Sequence, residues 1–135
     1  RDHNRKVVEA HPLAKRIEMI QGSSIAEETI NEIKKRIPKG AKVLVFLDSD
    51  HTKPHVLREL ELYEQFVIPG CYIVVLDTIS SDLAKLHAAK EIYVDNGPGE
   101  AATEFLKKNR NFEIDKSFNK LYSSHSQNGY LKRIR

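Results

Sequence analysis

Apolar and polar positions along this chain fall into two rhythms. Residues 42–48 (KVLVFLD) and 71–76 (CYIVVL) are nearly unbroken apolar runs rich in β-branched and aromatic residues, the signature of strands covered on both faces, and the first is expected to be central in its sheet. Between them Val56, Leu57, Leu60, Tyr63, Phe66 and Val67 recur at helical spacing. That stretch starts at Pro54, a favoured early helical residue, and stops before Pro69-Gly70. Strand, helix and strand in this order predict a βαβ unit with parallel strands and a right-handed crossover.

The flanks read less uniformly. Residues 4–10 predict a helix stopped by His11-Pro12, and RIEMI at 16–20 a short strand. Gly22-Ser23-Ser24 is a turn whose serines can cap the next helix, with Glu27 completing a capping box and Ile25, Ile30, Ile33 and Ile37 on its apolar face. Residues 79–96 suggest a short helix and an extended Ile92-Tyr93-Val94 piece. After the turn at Asn96-Gly97-Pro98-Gly99 come a helix over 100–109 and strands at 111–115, 118–122 and 129–134. The last two are joined by the polar SSHSQNG loop in an antiparallel hairpin. The expected class is α/β, a doubly wound sheet, mostly parallel and antiparallel at its end, with its site at the carboxyl ends of the parallel strands.

Composition narrows the classes. With 135 residues, 40% hydrophobic and 30% charged, residues 1–135 make one domain. No run approaches the roughly 18 to 20 apolar residues of a membrane helix, and no internal repeat interrupts the pattern. The lone Cys71 excludes an internal disulfide and a Cys-based zinc site, and it reads as a core thiol. A soluble, cytoplasmic protein is the expectation. Net charge is +3, with residues 107–135 holding eight Lys/Arg against Glu113 and Asp115. No regular aromatics interleave with these cations, so a solvated surface is expected, with neither a nucleic acid nor a membrane as partner.

Candidate chemistry sits where the two apolar strands end, at Asp48-Ser49-Asp50-His51 and at Asp77-Thr78. Two strand-end aspartates can bring hard oxygen ligands together for Mg²⁺ or Ca²⁺; equally, each can cap the helix or turn that follows. His51, three residues after Asp48, can act as a general base if it faces the same crevice. His55 lies four residues on, a formal two-His pair without an HExxH context. The glycine turns at 22–24 and 97–99 can offer backbone N–H groups to an anion, or serve only as turn and cap.

LDSDHTKPHVLRELELYEQFVIPGCYIVVLDT (47–78), HPLAKRIEMIQGSS (11–24), NGPGEAATEFLKKNRNFEIDKSFNKLY (96–122) and GYLKR (129–133) together resemble the cephalosporin hydroxylase family, akin to rhamnosyl O-methyltransferases and more distantly to catechol-type O-methyltransferases. The resemblance implies a Rossmann-like S-adenosylmethionine (SAM) methyltransferase fold and a divalent cation, Mg²⁺. It implies Asp48 and Asp77 as metal ligands, Asp48 beside the methionine end of the cofactor, His51 as catalytic base, and Gly22, Ser23 and Ser24 along the adenine side. The implied substrate is a small molecule bearing a hydroxyl, on a sugar or secondary metabolite. Leu76 stands where relatives often carry an acid, leaving Asp50 or the Thr78 hydroxyl as candidates to complete the site. Arg1 aligns just after the family's second strand, so the N-terminal strands are expected to be missing, the domain truncated and the chain a homo-oligomer through an unpaired edge. Two other readings share the pattern: a receiver-like signalling domain with Asp48 and Thr78 at neighbouring strand ends, and a non-catalytic binding module.

Overall fold

A computed structural model describes residues 2–86, 88–120 and 124–135. Helix α1 (Asp2–Glu9) and a 3-10 turn (Ala14–Arg16) lead through an irregular segment to α2 (Glu27–Arg36). Strand β1 (Leu44–Leu47), α3 (Lys53–Tyr63) and β2 (Tyr72–Val75) follow, then α4 (Ser80–Leu86), a 3-10 segment (Ala88–Tyr93), α5 (Pro98–Lys108), β3 (Phe112–Ile114) and β4 (Tyr130–Arg133). The class is α/β, as expected, and the βαβ unit is present.

The four described strands lie in the order β1-β2-β4-β3. β1 and β2 are parallel, whereas β4 runs antiparallel to both β2 and β3. One parallel pairing and two antiparallel ones replace the mostly parallel sheet expected. The antiparallel hairpin is formed by β3 and β4 rather than by 118–122 and 129–134. Lys116–Phe118 is a 3-10 turn, because Asp115 accepts the Ser117 N–H and curls the chain; residues 121–123 lie outside the described residues.

The core fills one face of this sheet. Val45 and Leu47 from β1, Ile73 and Val75 from β2, Leu131 and Phe112 meet Val56 and Leu60 of α3 and Ala101, Ala102 and Phe105 of α5. Burying this apolar set drives the packing of α3 and α5. Cys71 packs against the same cluster, half-buried. The other face of β1 is open: Leu44 and Phe46 are 56% and 57% exposed, and β1 is an edge of the described sheet. Its apolar run therefore does not mean cover on both faces, whereas β2, with Ile73, Val74 and Val75 all buried, fits that reading.

Three further expectations fail for local reasons. RIEMI forms no strand; its first residue closes the 3-10 turn and Ile17 stays 46% exposed, unpaired with any of the four described strands. The Ile92-Tyr93-Val94 piece belongs to the 3-10 segment and a turn. Helix α2 is capped at Ala26, with no side-chain cap, because the Ser24 hydroxyl is engaged elsewhere.

The carboxyl end of the α3 region is closed by β4. Arg133 donates from Nη1 to the carbonyls of Glu64 and Val67 at 2.8 and 2.9 Å, and its guanidinium lies over the Phe112 ring. These carbonyls would otherwise be left open where the helix unwinds.

Candidate active site

The two parallel strands end level with one another. Leu47 pairs with Val75, and the Leu76 N–H donates to the Leu47 carbonyl at 3.1 Å. Just past this last rung, Asp48 and Asp77 leave the sheet side by side. Asp77 adopts a left-handed backbone, φ 51°, a conformation with a steric cost for a residue with a Cβ and one often held at functional positions. His51 comes back over the edge before α3 begins. Its Nε2 lies 3.2 Å from Asp48 Oδ1 and its Nδ1 3.8 Å from Asp77 Oδ2.

One ligand atom from each of Asp48, His51 and Asp77 lies within 4.8 Å of the others. A divalent cation with ligands about 2.0 to 2.6 Å away spans such a set. Two carboxylates and an imidazole on a half-open edge can therefore hold a cation, and the same imidazole, between two anions, can accept a proton. Asp48 is the most open of the three at 60% side-chain exposure, against 38% for Asp77 and 21% for His51.

A residue that the sequence pattern did not single out joins them. His125 Nδ1 lies 3.6 Å from Asp77 Oδ1. Its loop is tied down by Thr78, whose hydroxyl donates to the Gln127 carbonyl at 2.7 Å and the His125 carbonyl at 3.3 Å. The Ile79 N–H also donates to the His125 carbonyl. Gly129 makes the close approach possible, since a Cβ there would sit 2.2 Å from the Val75 carbonyl oxygen. The signal that points to this loop is topological: a strand antiparallel to β2 must begin beside the carboxyl end of β2.

Ser24 reaches the same region from the other side. Its hydroxyl is 3.0 Å from His55 Nε2 and 3.5 Å from the Ser49 hydroxyl, and its carbonyl accepts from the Tyr63 hydroxyl. Both polar groups of Ser24 beyond its N–H are thus committed within the protein. Gly22 and Ser23 are exposed, with Gly22 so near Thr29 that a Cβ would lie 2.6 Å from its hydroxyl oxygen.

His51 and His55 do not form a pair. The first turns to the aspartates, the second to Ser24 and Glu59. Both candidates for the missing acid at 76 have partners within the protein: the Thr78 hydroxyl donates to the His125 and Gln127 carbonyls, and Asp50 Oδ1 accepts the Thr52 N–H at 2.8 Å. That bond, with the Thr52 hydroxyl, holds the Asp50 carboxyl below its usual range. The Gly97 N–H is taken by Glu100, at 2.9 Å, as a cap of α5, and Gly99 presses against the Thr78 carbonyl. These contacts give the turn a role in packing and capping.

The sequence matches the family described as rhamnosyl O-methyltransferase/CmcI over residues 1–134. The chain belongs to this family. No curated protein and no solved structure matches it. Membership of the rhamnosyl O-methyltransferase/CmcI family, which is the cephalosporin hydroxylase group, supports an O-methyltransferase-like function. No helix among the described residues is long and apolar enough to cross a membrane.

Proposed function

We propose that the chain supplies the catalytic edge of a SAM-dependent, Mg²⁺-dependent O-methyltransferase acting on a hydroxyl of a sugar or secondary metabolite. The observation that carries this reading is the convergence of Asp48, His51 and Asp77 at the ends of paired parallel strands in a chain of a methyltransferase family. Asp48 and Asp77 hold the ion, and Asp48 borders the methionine end of the cofactor. Gly22, Ser23 and Ser24 line the adenine side, mainly through backbone, because the Ser24 hydroxyl and carbonyl are already bonded.

When bound, the cofactor supplies an electrophilic methyl group and the ion the charge that eases loss of the acceptor's proton. The protein's own task is to orient the acceptor oxygen and to receive that proton. His51 takes that part in this reading: its Nε2 lies 3.2 Å from Asp48 Oδ1 and its Nδ1 3.8 Å from Asp77 Oδ2, beside both proposed ion ligands. Thr78, the residue after Asp77, borders a hollow of about 240 Å³ whose wall mixes Asp82, Gln127 and Asn128 with Ile79, Ala102 and Ile114.

Calorimetric titration with S-adenosylhomocysteine, with and without Mg²⁺, tests the reading on this chain and on a version extended upstream. Saturable binding by either supports it. Binding by neither would leave a non-catalytic module of the same fold.

A further inference from the structure

Glu59 is 2% exposed, and its Oε2 has no hydrogen-bond partner among the described residues. A buried carboxylate with an orphaned oxygen is costly and calls for a compensating role. Its other oxygen has three neighbours in a chain. The Ser49 hydroxyl donates to Oε1 at 2.7 Å; the Ser24 hydroxyl lies 3.5 Å from the Ser49 hydroxyl; and His55 Nε2 lies 3.0 Å from the Ser24 hydroxyl and 3.6 Å from Glu59 Oε1.

The bonds run in one direction toward Glu59. The Ser49 hydroxyl donates to Glu59 Oε1, which leaves the Ser49 oxygen free to accept from Ser24. Ser24 in turn can accept from His55 Nε2–H in the tautomer that carries its proton on that nitrogen. Each hydroxyl then donates once and accepts once. Ser24 follows the exposed turn at Gly22 and Ser23, while Ser49 follows Asp48; α3 supplies His55 and Glu59.

We propose that Glu59 is a positioning residue that locks the 22–24 segment to the Asp48–His51 loop, so that the cofactor side and the metal side of the site are held in register by one buried carboxylate. The proposal deepens the functional reading above and rests on it for the ligands named, but the coupling of the two loops stands on the contacts alone.

Hydrogen exchange read by mass spectrometry on the whole chain tests it, using Glu59→Gln, which preserves shape but supplies donors where the carboxylate has none, and Ser24→Ala, which cuts the chain at its far end. With the melting transition retained, exchange at 22–26 and at 49–52 is expected to rise together, by roughly 10-fold, in both variants. An increase confined to one of the two loops, or none, overturns the proposal. Should Glu59→Gln fail to fold, Ser24→Ala alone decides, through exchange at 49–52. Where the wild type binds S-adenosylhomocysteine, Glu59→Gln is expected to weaken that binding by roughly 10- to 100-fold at unchanged melting temperature; unchanged affinity overturns the role in positioning. If the wild type shows no such binding, the functional reading fails and the exchange result still decides the coupling.

Discussion

The Leu76 N–H donates to the Leu47 carbonyl at 3.1 Å, and this single rung fixes the level at which the two site-bearing loops leave the sheet. A one-residue slip would turn every side chain of β2 to the opposite face. Asp48 and Asp77 are therefore neighbours because of strand register, not because of any bond between them.

From this register follows a prediction for metal binding. Asp48→Asn and Asp77→Asn are each expected to lower the affinity for Mn²⁺, used as a spectroscopic stand-in for Mg²⁺, by about 10-fold or more, since hard cations depend on ligand charge. Electron paramagnetic titration of free Mn²⁺ measures this. Wild-type affinity in both variants would remove the site.

The sequence pattern marks three residues that the fold brings together and leaves out the next layer of contacts. Asp48, His51 and Asp77 are legible as neighbours because buried strands have a strong local signature and their ends lie level in the sheet. His125 was not, since SSHSQNG carries only a loop signal and its place depends on β4 lying against β2. Glu59 was hidden for a similar reason: within LRELELY it reads as one of several polar-face acids, and only the fold turns it inward. Ser24 illustrates the converse. A serine three residues before a glutamate looks like a capping box, yet its hydroxyl partner is His55, 31 positions away. The run at 42–48 correctly predicts a strand but not its setting, because an apolar run does not say whether both faces are covered.

Arg133 is expected to matter for stability more than a surface cation would. Removing it leaves the Glu64 and Val67 carbonyls without this donor, so Arg133→Ala should cost about 2 to 3 kcal/mol in urea unfolding. Arg133→Lys should recover only part of this, because an ammonium does not reproduce the planar fork or its stacking on Phe112. Equal stability of the lysine variant and the wild type would contradict the assignment.

Acid should loosen the contact between α3 and α5. Glu104 lies between Lys108 and Lys53, at 2.7 and 2.8 Å, and its carboxyl is pushed down from 4.5 to about 2, chiefly by the Lys108 hydrogen bond and then that of Lys53. A carboxyl with a lowered folded pKa contributes its stability in full above the unfolded value and loses it as pH falls toward the folded one. Urea midpoints of wild type and Glu104→Gln should therefore differ above about pH 4.5 and converge toward pH 2. The gap should shrink with added salt, as the pairs are exposed. A difference independent of pH would speak for packing instead.

The open face of β1 predicts self-association. Leu44 and Phe46, both more than half exposed, lie on an edge strand whose backbone groups can pair with another chain. Light scattering at micromolar concentration is expected to show a dimer or larger species, and Leu44→Lys with Phe46→Glu to shift it toward monomer. A wild-type monomer at that concentration would count against an interface at β1.

β4 follows the other described strands in the sequence and yet lies inside their sheet, between β2 and β3. During synthesis, β3 therefore waits without a partner until residues 130–133 have left the ribosome. Until then neither the Gly129 contact with Val75 nor the His125 approach to Asp77 can exist. The strand that joins β2 to β3 also brings the His125 imidazole to Asp77, so the antiparallel side of the sheet and this contact at its edge form together.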